Sequence, residues 1–429
     1  MSQYKPYPTY KDSGVEWIGQ VPAHWETLPI KRGAGLRNER RTDSPDGWDY
    51  VGLEDVEAES GRYAPTGTAS RQSEDSMVGV FRAGDVLYGK LRPYLRKAIV
   101  TGDDGLCSTE FLVLRPGRSS APWLHRWLLT TEVTQQIEAG CDGAKMPRAD
   151  WDHVGSIPMP LPPPAEQSAI AAALDRETAR IDALIARKTR FIELLKEKRQ
   201  ALITHTVTKG LDPNVKMKDS GVEWIGEVPE HWTLMKFGRV ARVTEGLVDP
   251  RLEPYRAMPL FAPNHIESST GRLLAVESAA EQYAESGKYL CKAGCVVYSK
   301  IRPALSKVII APTDGLCSAD MYPLTCTEKA EAQWLFYLML SQAFTAWAVL
   351  ESDRVAMPKI NRESLADLVV AVPPTAEQQK IASAIEARLP RVDTVIEKVN
   401  ASITLLKERR SALITAAVTG QIDLREEAL

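Results

Sequence analysis

The chain has 429 residues, a formal net charge of −3 and a pI near 6.2, with 44% hydrophobic and 25% charged residues. This length predicts two or more domains, and the composition is that of a globular protein rather than a disordered or fibrous one. The slight acidity argues against a protein that simply coats DNA. No stretch approaches the ~20 apolar residues of a membrane span, and the N-terminus lacks the apolar core of a signal peptide, so we expect a cytoplasmic protein that does not bind membranes. The six cysteines are scattered, which predicts reduced thiols and no zinc site.

The sequence contains one long internal repeat. KDSGVEWIG occupies residues 11–19 and returns unchanged at 218–226, and each copy continues into VP-x-HW, ending at Trp25 and Trp232. Further matches follow in the same order: GDVLYGKLRP (84–93) with GCVVYSKIRP (294–303), DGLCS (104–108 and 314–318), Met-Pro-Arg (146–148) with Met-Pro-Lys (357–359), and LLKEKRQALIT (194–204) with LLKERRSALIT (405–415). The offset between copies grows only from 207 to 211 residues. A period this long indicates duplicated domains rather than a solenoid.

Each copy begins with a predicted α/β domain. In the first copy, β-rich runs occur at 85–88 and 110–114, and a helical pattern covers 123–137. A proline cluster followed by Ala-Glu-Gln then predicts the start of a helix that ends before Gly210, or before Gly420 in the second copy. We therefore predict globular domains at 1–161 and 211–372, helical regions at 162–210 and 373–420, and a C-terminal tail at 421–429.

The two helical regions are predicted to pair with each other. Apolar residues recur at steps of three and four along the first one: Ile170, Leu174, Ile181, Leu184, Leu195 and Leu202. Such a seam needs a partner, so we predict an antiparallel coiled coil that separates the two α/β domains, with pseudo-two-fold symmetry from the duplication. The alternative is that each helix packs on its own domain. In the second helical region Pro390 predicts a kink or a break near Arg388, and we favour a short helix followed by a long one from about Arg391.

The repeated motifs carry a family resemblance. The doubled KDSGVEWIG-x-VP-x-HW opening, Y-x-K-x-RP, PP-x-AEQ and LLKE-x-R-x-ALIT together resemble, over essentially the whole chain, the specificity subunit of type I restriction–modification enzymes. The resemblance implies two target-recognition domains that read a bipartite site in double-stranded DNA with an unspecific gap. It also implies two partner modification subunits that methylate adenine N6 with S-adenosylmethionine. Restriction subunits, where present, would add ATP-driven translocation and cleavage, with ATP and Mg²⁺ on those partners.

The chain itself is predicted to have no active site and no cofactor. It lacks the Asn/Asp-Pro-Pro-Tyr/Phe tetrapeptide of amino-methyltransferases and a glycine-rich cofactor loop. Residues 84–91 resemble a phosphate-binding loop, but Leu91 cannot supply the hydroxyl that ligates magnesium. His24 and His231 are interpreted as packed or capping residues rather than catalytic bases. Two alternatives stay open: a methyltransferase fused to its own reader, and an orphan DNA-binding protein without a methylating partner.

Basic residues that both copies keep predict contacts with the DNA backbone. Phosphate contacts give affinity and orientation without sequence preference, so both domains would retain them. The alternative is a strand edge kept charged against aggregation. The predicted phosphate clamp comprises Lys90, Arg92, Lys97 and Arg148 in the first copy, and Lys300, Arg302, Lys307 and Lys359 in the second.

Residues that read bases are expected where the copies differ. Two domains that read different half-sites should diverge at their base contacts, and the unmatched stretches are about 37–80 and 242–288. Arginine pairs well with guanine, and Asn or Gln pairs with adenine. The candidates are Arg37, Asn38, Arg40, Arg41 and Arg71 in the first copy, and Arg251, Arg256, Asn264 and Gln282 in the second. Most of these residues could equally belong to ordinary surface loops.

Overall fold

The computed structural model describes residues 4–43, 45, 47–66, 77–141, 143, 145–352 and 358–425. These residues divide into two units, one of Met1–Lys188 with Ala401–Leu429 and the other of Thr189–Asn400. Each unit therefore contains one α/β domain, the first half of the helix that follows this domain, and the second half of the other long helix.

The first α/β domain and its helix contain twelve described strands and five described helices. The strands are β1 (Tyr10–Asp12), β2 (Gln20–Pro22), β3 (Glu26–Pro29), β4 (Ala34–Leu36), β5 (Arg40–Arg41), β6 (Asp49–Val51), β7 (Val78–Phe81), β8 (Val86–Gly89), β9 (Ala98–Val100), β10 (Gly105–Cys107), β11 (Phe111–Pro116) and β12 (Pro158–Leu161). The helices are α1 (Ile30–Gly33), α2 (Ala121–Leu128), α3 (Thr131–Ala139), α4 (Trp151–Ser156) and α5 (Pro164–Lys209), with short 3-10 turns at Leu53–Asp55 and Pro93–Leu95.

The second α/β domain follows the same order among the described residues, except that a 3-10 turn replaces α1 and that one strand, β19 (Glu277–Ser278), and one 3-10 turn, Tyr255–Ala257, are added. Its described strands are β13 (Met217–Asp219), β14 (Glu227–Pro229), β15 (Thr233–Lys236), β16 (Ala241–Val243), β17 (Leu247–Val248), β18 (Pro259–Phe261), β19 (Glu277–Ser278), β20 (Lys288–Cys291), β21 (Val296–Ser299), β22 (Val308–Ile310), β23 (Gly315–Cys317), β24 (Met321–Cys326) and β25 (Val369–Val372). The helices are α6 (Ala332–Leu340), α7 (Gln342–Ser352), α8 (Arg362–Asp367) and α9 (Thr375–Val418), with 3-10 turns at Phe237–Arg239, Tyr255–Ala257, Pro263–His265 and Pro303–Leu305.

Each domain has two main mixed or antiparallel sheets. In the first domain the strand orders are β5-β7-β10-β6 and β4-β11-β8-β9, and in the second they are β17-β20-β23-β18-β19 and β16-β24-β21-β22. The strands predicted at 85–88 and 110–114 are β8 and β11, which pair antiparallel. The helical stretch predicted over 123–137 consists of two helices, because the Thr130 hydroxyl accepts a hydrogen bond from Val133 N and caps the start of α3.

The long helices confirm the predicted pairing. In the first unit Arg410 Nε lies 3.0 Å from Asp182 Oδ1, and in the second Arg199 Nε lies 2.9 Å from Asp393 Oδ1. The α9 partner falls from 410 to 393 as the α5 residue rises from 182 to 199, so the two helices run antiparallel. No helix within the described ranges combines the length and the apolar character that crossing a bilayer demands.

The predicted break at Pro390 is wrong, because α9 is one helix of 44 residues with Pro390 inside it. A proline costs a helix one backbone hydrogen bond and some steric strain. Buried Ile381, Ile385 and Leu389 belong to the core of the second unit and hold the turns before Pro390 in helical register. The packing of these side chains offsets the local cost.

The predicted apolar seam of α5 is only partly right. Ile170, Leu174 and Ile181 are buried, but Leu184 is 43% exposed. Further along the helix the fully buried residues are Ile203 and Val207 rather than Leu202. The seam drifts by one position because a straight helix has 3.6 residues per turn, which does not match a strict seven-residue repeat.

The two most strongly repeated motifs fasten each domain to its following helix. Glu166, in the first turn of α5, accepts a hydrogen bond from Trp25 Nε1 at 3.0 Å and lies 2.8 Å from His24 Nε2. Glu377 of α9 has the same partners, Trp232 at 3.2 Å and His231 at 2.7 Å. The repeated His-Trp pair and the Ala-Glu-Gln helix start therefore form one structural joint, with buried tryptophans and exposed histidines, which explains why both copies keep them.

Candidate nucleic-acid interface

Three cationic residues meet where β8 ends in the first unit. Leu91 forms a β-bridge with Arg148. Arg92 N donates a hydrogen bond to Pro147 O at 2.9 Å, and Ala149 N donates to Lys90 O at 2.9 Å. These backbone contacts bring together Lys90, Arg92 and Arg148, which are 58 residues apart at most in the sequence.

The second unit builds the same arrangement after β21. Ile301 forms a β-bridge with Lys359, Arg302 N donates to Pro358 O at 2.9 Å, and Ile360 N donates to Lys300 O at 2.9 Å. We call the two sets of three residues the cationic clusters: Lys90, Arg92 and Arg148 in the first unit, and Lys300, Arg302 and Lys359 in the second. Arg92, Arg148, Arg302 and Lys359 are exposed, and the two lysines that follow the strands are half-buried.

The central arginine of each cluster has a left-handed backbone conformation. Arg92 has a φ of 52° and Arg302 has a φ of 47°. This region is unfavourable for residues with a Cβ atom, and such strain concentrates at functional sites. A following 3-10 turn, begun by Pro93 or Pro303, fixes the conformation. Both copies keep an exposed arginine at a position where the backbone alone would favour glycine or asparagine.

The two clusters differ in their neighbouring charges. In the first unit Arg148 forms an ion pair with Glu110 at 2.9 Å. In the second unit Lys300 Nζ lies 5.2 Å from the centre of the Tyr322 ring, a cation–π contact. The corresponding position in the first unit is Leu112, which faces Tyr88 as Tyr322 faces Tyr298. The second cluster is therefore the more aromatic of the two.

Lys97 and Lys307 lie in the same loops but their ammonium groups are bound internally. Lys97 Nζ donates to Leu53 O at 2.6 Å, and Lys307 Nζ donates to Pro263 O at 2.5 Å. Both side chains are half-buried. The contacts tie each loop to the neighbouring 3-10 turn, a role in positioning the loop that the sequence did not suggest.

The base-reading candidates of the first copy do not gather at one point. Arg37 donates to both carboxylate oxygens of buried Asp85, at 2.7 and 3.2 Å, and this hydrogen bonding raises the pKa of Arg37. Arg41 forms an ion pair with Asp43, whose pKa is lowered by this hydrogen bond. Asn38 and Arg40 are exposed on and beside the edge strand β5. Arg71 lies outside the described residues.

The candidates of the second copy are also dispersed. Arg251 is held by Asp249, and this hydrogen bond lowers the pKa of Asp249 to about 2. Gln282 Nε2 donates to Leu260 O at 2.9 Å, so this amide supports the loop before β20. Arg256 and Asn264 are exposed. Within the described ranges, no group of three or more His, Cys, Asp or Glu side chains is placed to hold a metal ion.

Comparison with known proteins identifies the family. Residues 229–404 match the family model described as the type I restriction modification DNA specificity domain. The chain is 30% identical over 349 residues to the specificity subunit of the type I restriction enzyme EcoDI from Escherichia coli, covering 78% of this chain and 74% of that protein. The chain belongs to the type I specificity subunits.

Two further proteins are similar over most of their length. The MjaVIII specificity subunit of Methanocaldococcus jannaschii is 25% identical over 343 residues, with 76% of each chain covered. A solved structure from work on complex assembly and conformational transition of the type I restriction–modification system has a TM-score of 0.66 at 19% identity, over 93% of this chain and 98% of that chain. This likeness confirms the mixed α/β fold with two long packed helices.

A specificity subunit is the non-catalytic, DNA-binding component of its enzyme, which agrees with the expectation of a reader without an active site. One functional candidate of this specificity subunit escaped the sequence analysis. Arg362 lies 5.3 Å from the centre of the Tyr289 ring and 5.7 Å from that of Tyr322. Arg362 and Tyr289 are 73 positions apart in the sequence, so no local motif predicts their contact. A signal existed in the internal alignment, because the first copy has Trp151 where the second has Arg362.

Proposed function

We propose that each unit binds one half of a bipartite DNA site and that the cationic clusters hold the phosphate backbone. The supporting observation is that each unit presents three cations at equivalent positions beside the same strand end. Phosphate contacts carry no sequence information, so a duplicated reader can keep them while its base-reading loops diverge. Lys97 and Lys307 remain members of the proposed clamp, although their internal hydrogen bonds favour a role in shaping the loops.

Sequence discrimination is assigned to the residues that differ between the copies. Among the candidates, Asn38, Arg40, Arg256 and Asn264 are exposed, whereas Arg37, Arg41, Arg251 and Gln282 have partners within the protein. Exposed amide and guanidinium groups are free to approach base edges, and the held arginines need to exchange a carboxylate partner first. The exposed residues are therefore the first ones to substitute.

We also propose that the chain recruits two modification subunits through its long helices. In the first unit Leu184 of α5 and Leu405 of α9 are 43% and 64% exposed. In the second unit their counterparts by the repeat, Val395 and Leu194, are 38% and 46% exposed. Each unit thus presents an equivalent pair of apolar side chains on both helices, and equivalent patches fit two copies of one partner.

Methylation of adenine N6 with S-adenosylmethionine would take place on these partners, and ATP and Mg²⁺ would bind to restriction subunits where they are present. The chain itself would recognise the DNA site and position the modification subunits on it. A rival proposal, an orphan DNA-binding protein, predicts no stable complex with a modification subunit.

A co-purification experiment tests the recruitment. The chain is expressed together with a modification subunit from the same organism, and the mass of the complex is measured by light scattering. Leu405→Asp should remove one of the two modification subunits, and Leu194→Asp should remove the other, because each change places a charge in one apolar patch. Lys292→Ala, an exposed residue on the second α/β domain, is the control and should leave the mass unchanged. Retention of both subunits by Leu194→Asp/Leu405→Asp would refute docking on the helices.

A further inference from the structure

Three positions in the second unit have changed together relative to the first. Tyr289, Tyr322 and Arg362 correspond to Gly79, Leu112 and Trp151, as the strand registers and the neighbouring bridges show. Arg362 contacts both tyrosines: its guanidinium lies near both rings, and its Nη2 donates a hydrogen bond to Tyr289 Oη at 2.7 Å. The positive charges of the cationic clusters are retained in both copies, as Lys90 and Lys300, Arg92 and Arg302, and Arg148 and Lys359. Coordinated change within a conserved frame is the pattern expected of a contact to a half-site that differs.

The position of Arg362 connects it to the proposed clamp. Two cations lie near the Tyr322 ring, Lys300 at 5.2 Å and Arg362 at 5.7 Å from its centre. Tyr322 Oη donates to Ile360 O at 3.1 Å, which fixes the ring against the residue that follows Lys359. Arg362 therefore lies beside the second cationic cluster, and a duplex held by the cluster would lie within reach of its side chain.

The guanidinium is oriented in advance but not neutralised. Its side chain is 37% exposed, and its nearest carboxylate among the described residues is that of Glu245, at 4.0 Å and 87% exposed. By contrast, Arg37, Arg41 and Arg251 are closely paired with carboxylates. Two tyrosine rings restrict the rotation of Arg362, which reduces the entropy lost when it binds. Only one of its five N–H donors is used by Tyr289, so the planar fork can still engage a pair of acceptors.

We propose that Arg362 reads a guanine in the second half-site, with Tyr289 and Tyr322 as the residues that position it. The proposal rests on the function proposed above, namely that each unit binds half of a split site. An arginine fork matches the O6 and N7 acceptors of guanine in the major groove. Divergence of Arg362 between the copies favours a base contact over a phosphate contact, since the phosphate contacts are the retained ones.

The test uses the full chain in complex with its modification subunits. Cognate sites are obtained by mapping methylated adenines in cells that express the wild-type complex. Binding of the purified complexes to a cognate and an unrelated duplex is then measured at several salt concentrations. Arg362→Ala should weaken cognate binding about 5- to 150-fold and leave unrelated binding and the salt slope unchanged. The methylation map should relax at one position of one half-site only.

Two further variants guard against misfolding. Arg362→Lys keeps the charge but lacks the fork, so it should lose the same discrimination as Arg362→Ala. Tyr289→Phe keeps the ring and removes the hydroxyl, and should weaken cognate binding about 2- to 10-fold. Lys292→Ala is the matched control for an exposed cation of the same unit and should bind as the wild type does.

The outcomes separate the two proposals. If Arg362→Ala and Arg362→Lys leave the cognate preference and the methylation map unchanged, Arg362 does not read a base. If Arg362→Ala weakens binding to both duplexes alike and lowers the salt slope by about 0.9, Arg362 contacts a phosphate and the base assignment is wrong. A wild-type complex that binds both duplexes equally would refute the proposed function, and the assignment of Arg362 with it.

Discussion

Removal of the two leading cations of the first cluster should change how binding depends on salt. The variant is Lys90→Ala/Arg92→Ala, studied in the full chain with its modification subunits. Each phosphate contact contributes about 0.9 to the slope of log affinity against log salt. Six cluster residues, three in each unit, therefore contribute a slope of about 5.4, and the double variant should lower the slope by about 1.8.

The difference is large enough to measure. Between 50 and 200 mM salt the concentration rises fourfold, so a change of 1.8 in slope corresponds to about a 12-fold smaller loss of affinity. Contacts made by the modification subunits cancel in the comparison, because both complexes contain them. Lys300→Ala/Arg302→Ala should give the same change, since the second cluster has the same backbone geometry. Both double variants should weaken the binding of cognate and of unrelated DNA to a similar extent.

Fluorescence anisotropy titrations on a cognate and an unrelated duplex check this prediction. Lys292→Ala is the control, because Lys292 is 83% exposed, is paired with Asp314 and lies outside the clusters. Lys97→Ala separates two roles: an unchanged slope with lower stability would assign it to the Leu53 contact, and a lower slope would assign it to phosphate. An unaltered slope for Lys90→Ala/Arg92→Ala, or a shift in sequence preference, would refute the clamp.

Three further predictions concern the scaffold. Burial lowers the pKa of His125 to about 4, below its unfolded value of 6.5, so the unfolded state binds a proton more readily as the pH falls. The free energy of unfolding should therefore decrease by about 2 kcal/mol between pH 7.5 and pH 5. His125→Phe, which copies Phe336 of the second unit, should abolish this loss in hydrogen exchange of α2, and an unchanged pH dependence would contradict it. Pro390→Ala should stabilise α9 by up to ~3 kcal/mol in urea unfolding, and destabilisation would show that the helix requires the proline. A fragment of residues 1–212 should dimerise and direct methylation to a palindromic site, because Arg199 of a second copy can take the place of Arg410 at Asp182. A monomer in light scattering, or methylation of the original asymmetric site, would contradict the pairing.

Much of the architecture was predictable because the sequence states it twice. The repeated segments predicted the two long helices, and Gly420 shows why such signals are informative. Gly420 has a φ of 73°, and a Cβ atom there would lie 2.2 Å from Pro22 Cδ, so no other residue fits without rearrangement. The prediction at Pro390 failed for the opposite reason. Local propensity disfavours proline within a helix, but the buried neighbours Ile381, Ile385 and Leu389 override it.

The sequence indicates which residues belong to the candidate site, but it does not indicate the contacts that they make within the fold. Retention in both copies singled out Lys90, Arg92 and Arg148, and β-bridging then brought them together. Retention also singled out Lys97, but a carbonyl 44 residues away, at Leu53, holds its ammonium group, and the sequence contains no sign of this hydrogen bond. Repetition shows that a residue is required in both domains, and only the three-dimensional partners show whether the requirement lies in the fold or at the DNA.

The same reasoning explains why divergence between the copies is the more informative signal for specificity. Arg37 differs from its counterpart Thr244, yet it is bound to Asp85, which is itself replaced by Cys295 in the second unit. Arg37 and Asp85 bind each other within the protein, so this pair of differences needs no contact with DNA to explain it. The change at Arg362 is accompanied by two tyrosines, and its nearest carboxylate among the described residues is that of Glu245, at 4.0 Å. A polar residue that differs between the copies is a candidate for base reading when its own fold does not occupy its hydrogen-bond donors. A base of the DNA can then accept hydrogen bonds from these donors.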